Sequence, residues 1–198
     1  MPVGVASLTD RVLPHLFPST DSDLYTTTIE RAMEVDNPPP DRDWAGRATT
    51  YGALSALATS NFFSSSARWR VAVLLTDGET HPYSLAALAN DLGAQPAVVP
   101  VVVHVWGEGE RLYVGRRFDP GYAADQASRQ ALTELAAATG GVVLGEDDAA
   151  AVARATCAAL GTGDRATAGR KRTSMALAPW LFLSTALPLG FMLARRIL

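Results

Sequence analysis

Residues 69–75 read WRVAVLL and run straight into Thr76, Asp77 and Gly78. Apart from Arg70 the run is continuously apolar and does not alternate, which predicts a strand covered on both faces. That is the habit of an interior parallel strand with helices above and below it. The Asp-Gly pair ends the strand in a sharp turn and leaves a carboxylate at its carboxyl end.

Upstream, residues 3–8 and 12–17 are two short apolar pieces separated by Thr9, Asp10 and Arg11, and they predict two extended segments joined by a tight turn. Thr20 and Asp23 fit a capping box that opens a helix through DLYTTTIERAM, which stops before Pro38, Pro39 and Pro40. In GRATTYGALSALATSNFF, helical spacing aligns Tyr51, Leu54, Leu57 and Ala58 on one inward stripe. Ser64, Ser65 and Ser66 form the loop before the central strand.

Downstream, Leu85, Leu88 and Leu92 mark a helix, with Gly93 suited to the left-handed position past its end. A second buried strand is expected over 98–106. A helix over 123–138 follows, with Leu132 and Leu135 inward, and it ends at Gly140 and Gly141. Val142, Val143 and Leu144 make a short strand, and residues 147–160 a last helix closed by Gly161. Strands alternating with helices over residues 1–161 predict an open, mostly parallel, three-layer α/β/α sheet domain of Rossmann-like organisation.

The 198 residues suffice for one such domain and an appendage, and the appendage is visible in the charges. Only 19% of the chain is charged, against 48% hydrophobic, and residues 173–194 carry no charge at all. As a helix that stretch is roughly 33 Å long at about 1.5 Å per residue, enough for the roughly 30 Å hydrocarbon core of a bilayer. A polar linker, 162–173, leads into an expected transmembrane helix, 174–194, and a short basic tail, 195–198. Arg170, Lys171 and Arg172 flank one end, Arg195 and Arg196 the other, and Trp180 lies near an interface. The expectation is a single-pass membrane protein, with the balance of basic residues leaning toward a cytoplasmic domain.

The formal net charge of -3 and the lack of a basic, aromatic-rich surface pattern argue against nucleic acid as a partner. Cys157 is the single cysteine, so no intrachain disulfide or CxxC centre exists. GEGERLYVG lacks the order of a phosphate-cradling glycine loop and reads as a hairpin carrying Glu108 and Glu110. His15, His81 and His104 have no bracketing residues that would make them ligands or bases. Asp77 is different, because ligands of open α/β sheets gather at the carboxyl ends of the strands. Thr49 and Thr50, ahead of a helix, would present a hydroxyl to the same edge. Against that reading, Asp77 also suits a turn cap, and either threonine a helix N-cap.

VGVASLTDRVLPHLFPSTD, then a helix, then GRATTYGALSALA and WRVAVLLTDGE resemble a von Willebrand factor A domain from its second strand onward. RRFDPGYAADQASRQALTELAAATGGVVLGEDDAAAVARA resembles that fold's last helix, strand and helix. With the C-terminal span, the chain is similar to bacterial membrane-anchored proteins of this class. The resemblance implies a metal-ion-dependent adhesion site, in which Asp77 matches the aspartate after the fourth strand. Thr49 matches the loop threonine, with Thr50 as the alternative register. The DxSxS part is absent, so the resemblance implies an N-terminally truncated domain lacking its first strand and first helix, with an incomplete Mg²⁺ site.

The function expected from these readings is a non-enzymatic, membrane-tethered module that binds a protein partner near Asp77 and Thr49. Two alternatives stand beside it. One is a degenerate structural domain that binds no metal. The other is a Mg²⁺-dependent, phosphatase-like α/β enzyme using Asp77, a chemistry that calls for a lysine at the phosphoryl group, whereas Lys171 is the only lysine and lies beside the span.

Overall fold

The computed structural model describes residues 1–33, 49–107, 109, 111, 113–114 and 117–161. The predicted linker, transmembrane helix and basic tail lie outside the described residues, as do Pro38, Pro39, Pro40, Glu108 and Glu110. Among the described residues no helix is long and apolar enough to cross a membrane.

Strands β1 (Val3–Leu8) and β2 (Val12–Ser19) pair antiparallel in a sheet of their own, through a turn in which the Thr9 N–H donates to the Arg11 carbonyl. Helix α1 (Ser22–Ala32) follows. Its cap is Asp21, whose carboxylate accepts from the N–H groups of Asp23 and Leu24, rather than the expected Thr20 and Asp23 box. A short carboxylate placed directly before the first turn satisfies two donors that the helix cannot satisfy itself.

The stripe Tyr51, Leu54 and Leu57 is buried as expected, but on a 3₁₀ turn (Tyr51–Leu54) followed by the short helix α2 (Ser55–Thr59) rather than on one long helix. Then come β3 (Arg70–Thr76), α3 (Leu85–Gly93), β4 (Val98–His104), the hairpin β5 (Tyr113–Val114) and β6 (Arg117–Phe118), α4 (Ser128–Thr139), β7 (Val142–Gly145) and α5 (Ala149–Leu160). Helix α4 starts later than expected because Asp125 holds a turn ahead of it. Its carboxylate accepts from the Ala127 N–H and its carbonyl from the Ser128 N–H. Gly93 is the last residue of α3 and does not take the left-handed conformation, which Gly140 adopts past the end of α4.

β3, β4 and β7 form a parallel sheet in the order β3-β4-β7, giving a mixed α/β domain with helices packed on that sheet. The expected interior strand is corrected here: among the described residues β4 is the central, most buried strand, and β3 lies at an edge with Val73 and Leu75 exposed. A run of uniformly apolar residues does not say which of two parallel strands has neighbours on both sides.

One core joins Tyr51, Leu54, Leu57, Leu88, Leu92, Leu132 and Leu135 to Val98 and Val102 of β4. Val101 and Val103, of opposite parity, are also buried, and α5 packs against all three strands. Pro100 is accommodated because pairing with β7 begins only at Val101. The chain enters β7 so close to it that a Cβ on Gly141 would run into the Pro100 carbonyl, which restricts that position to glycine.

Candidate functional site

The carboxyl end of β3 is tied to three other segments. Thr76 Oγ1 lies 2.9 Å from the Tyr51 hydroxyl and accepts from the Gly78 N–H at 3.2 Å. The Tyr51 N–H donates to Thr80 Oγ1 at 3.1 Å, and the His81 N–H to the Thr49 carbonyl at 2.8 Å. The Thr50 N–H reaches the Thr9 carbonyl at 3.0 Å, fixing the same loop to the β1–β2 turn. Residues 49–51 and 76–81, distant in sequence, therefore share one rim.

Asp77 is exposed on that rim. Its Oδ1 accepts from the Glu79 N–H at 3.0 Å, so the carboxylate caps its own turn. Oδ2 has no hydrogen bond among the described residues. Thr50 occupies the N-cap position of the 3₁₀ turn but makes no side-chain cap bond, and Thr49 reaches the neighbouring loop through its backbone carbonyl. The two threonines and Asp77 are thus brought to one edge.

The Tyr51 side chain is fully buried beneath this edge. Burial pushes its phenol up to about 12; the bond to Thr76 opposes that shift, while the negative charges of Asp77, Tyr83 and Glu79 add to it. Tyr83 packs edge-on against it at 5.7 Å between centroids, its own phenol raised by burial and then by Glu134.

Two ties were not legible in the sequence. His104, buried at the end of β4, places Nε2 3.1 Å from the Asp77 carbonyl and 3.2 Å from Ser128 Oγ. A carbonyl can only accept, so Nε2 carries the proton and the ring clamps the Asp77 backbone to the start of α4. Glu79 Oε1 accepts from the Tyr122 hydroxyl at 2.8 Å and the Asp125 N–H at 3.1 Å. Both bonds span more than forty residues of sequence, and no local pattern announces them. Beside this clamp lies a cleft of about 290 Å³ at the ends of β4 and β7, lined in part by His104, Trp106, Ser128, Arg129 and Glu146.

Gly78 holds the turn at φ +92°, and a Cβ there would lie 2.6 Å from that of Ser128. Gly78→Ala is expected to lower stability by about 1–3 kcal/mol through strain and crowding, measured as a fall in the thermal midpoint.

In donor chemistry, Asp77 offers one uncommitted oxygen and the threonine loop one or two hydroxyls. A Mg²⁺ ion held there would keep most of its waters, since its octahedral shell needs six oxygens. No group of three His, Cys, Asp or Glu side chains suited to a metal occurs among the described residues.

Fold and rim together define a class: an α/β domain whose parallel strands end in an exposed, carboxylate-bearing edge. No family model matches the chain, and a search of curated proteins found no match. Among solved structures, the fold is similar to an aerotolerance-related membrane protein from Bacteroides fragilis, at 17% identity and a TM-score of 0.55, covering 80% of this chain and 78% of that one. It is also similar to the conserved hypothetical protein BatB from Bacteroides thetaiotaomicron, at 19% identity and a TM-score of 0.59, covering 78% of this chain and 76% of that one.

Proposed function

We propose that the chain is a membrane-tethered protein-interaction module of von Willebrand factor A type, which meets its partner at the rim formed by Asp77 and the Thr49–Thr50 loop. The observation that carries this reading is the exposed Asp77 carboxylate, standing where two loops are locked together through Tyr51, Thr76 and Thr80. A rim with a fixed backbone and an uncommitted carboxylate oxygen presents a directional acceptor to a partner at little entropic cost. The uncharged stretch 173–194 supports the tether, and so does a structural neighbour described as a membrane protein. The domain side leans cytoplasmic on its flanking charges.

In this reading Mg²⁺ associates weakly with Asp77 and Thr49, or Thr50, and a carboxylate from the partner completes its shell. Titration of the detergent-solubilised chain with Mg²⁺ tests it. Asp77→Ala removes a unit charge from beside a divalent ion, about 2 kcal/mol in water at 4 Å, so binding is expected to weaken roughly 30-fold. Equal binding by both forms excludes a metal role for Asp77. Recovery of the protein wholly in the soluble fraction of cells excludes the tether.

A second reading, a structural domain without metal, draws support from the turn-capping bond between Asp77 Oδ1 and the Glu79 N–H. It predicts that Asp77→Ala changes stability and leaves Mg²⁺ response untouched. The enzyme alternative receives no such support, since phosphoryl chemistry would ask for a lysine that the rim does not have.

A further inference from the structure

β4 pairs in parallel with β3 on one side and β7 on the other, and this register sets Thr76, His104 and Gly145 in one row. At that end of β4 and β7 lies the cleft of about 290 Å³. Crevices at the carboxyl ends of parallel strands are where open α/β sheets take small ligands, and this volume suits a small one. Two of its lining residues are flat rings. His104, only 5% exposed, stacks on Trp106 with 5.7 Å between centroids and 26° between planes.

The polar groups of the cleft are unspent. With Nε2 carrying a proton toward Asp77 and Ser128, the neutral His104 ring keeps Nδ1 as an acceptor, and no described residue donates to it. Ser128 is 1% exposed, and since its Oγ accepts from His104, its own O–H is left to donate. Buried polar groups without a full set of partners are uncommon in folded proteins. Arg129 follows Ser128 in the first turn of α4, where no side chain caps the helix and the dipole favours negative charge. Glu146 and Asp147, just past β7, add two carboxylates to the lining. Neither forms an ion pair with Arg129 or with another cation among the described residues. The cleft is therefore split, positive at α4 and negative after β7.

We infer that this cleft binds a free basic amino acid, its α-carboxylate held by Arg129 and the Ser128 hydroxyl, its side-chain cation laid on Trp106 against Glu146 and Asp147. A guest of single charge would leave one side of the lining uncompensated. Because the two sides do not pair with each other, the charges of the guest stand several atoms apart, as they do between the carboxylate and the side-chain cation of arginine or lysine. A planar guanidinium adds stacking on the indole and enough N–H groups for two carboxylates and His104 Nδ1. The inference goes beyond the rim, since neither Mg²⁺ nor the Asp77 carboxylate takes part.

The test titrates the full chain, labelled with fluorotryptophan and held in uncharged dodecyl maltoside micelles, with L-arginine. It follows the fluorine resonance that Trp106→Phe removes. A saturable shift is expected there, and none to match it at Trp69, which is 61% exposed. L-citrulline keeps the length and loses the cation, L-argininamide loses the carboxylate, and each should bind at least about 5-fold more weakly. Glu146→Gln combined with Asp147→Asn should abolish the preference over citrulline and keep that over argininamide. Arg129→Gln should do the reverse, a crossed pattern that damage to the fold would not produce. Asp77→Ala should leave arginine binding unchanged, which separates a failure of the rim reading from a failure of this one. No saturable shift, citrulline or argininamide binding as tightly as arginine, or tighter binding of Nα-acetyl-L-arginine, the mark of a polypeptide's C-terminal residue, overturns the inference.

Discussion

Tyr51→Ala is expected to lower the stability of the domain by about 3–5 kcal/mol, the range for removing a buried aromatic ring from a packed core. Its ring is fully buried among Leu54, Leu57, Leu88 and Leu132 and packs against Tyr83. The same side chain carries the bond to Thr76, so the loss extends from core to rim, and the Thr49–Thr50 loop loses its main anchor. Tyr51→Phe keeps the ring and gives up only the hydroxyl, for about 0.5–1.5 kcal/mol. Denaturant unfolding of the three forms checks this order.

Alkaline pH separates the wild type from the Tyr51→Phe variant in a second way. The folded phenol titrates near 12, against 10 for an ordinary tyrosine. Below pH 10 both states keep the proton and the full contribution to stability is present. Between 10 and 12 the unfolded chain releases its proton while the folded one retains it, and stability falls. The difference amounts to about 3 kcal/mol by pH 12 at roughly 1.4 kcal/mol per unit. Tyr51→Phe should therefore unfold less readily than wild type in this window, relative to their order at pH 8. A constant difference across pH would exclude a raised phenol.

The second large effect comes from comparing two leucines that sequence treats alike. Leu132→Ala should lower stability by about 2–5 kcal/mol, because Leu132 is fully buried where α4 meets the core and the cavity left behind is only partly closed by relaxation. Leu75→Ala should change stability by no more than about 0.5 kcal/mol, since that side chain is mostly in solvent already. Thermal unfolding of the two variants makes the comparison. Similar losses at both positions would mean that Leu75 is covered in the folded protein.

Helical spacing made Leu88, Leu92, Leu132 and Leu135 readable as core before any coordinates, because a period near 3.6 places them on one face whatever they pack against. Asp77 was readable for a related reason: an apolar strand stopped by Asp-Gly leaves a carboxylate at its carboxyl end in any parallel sheet. His104 looked idle within its strand, and its clamp on Asp77 and Ser128 appears only when β4 lies beside β3 and under α4. Glu79, part of the motif that suggested the family resemblance, had no role until Tyr122 and Asp125 were brought to it.

The order of strands and helices, the inward stripes of α3 and α4 and the place of Asp77 at a strand end were determined by the sequence alone, because each follows from the geometry of a few neighbouring residues. Which strand is central, which edge stays open and which loops meet at the rim were decided by the tertiary structure. WRVAVLL and VVPVVVH are equally apolar, and among the described residues only pairing on both sides, which β4 has and β3 does not, separates a buried valine from an exposed one. Burial is set by what lies across the gap, and that information is not carried by the strand itself.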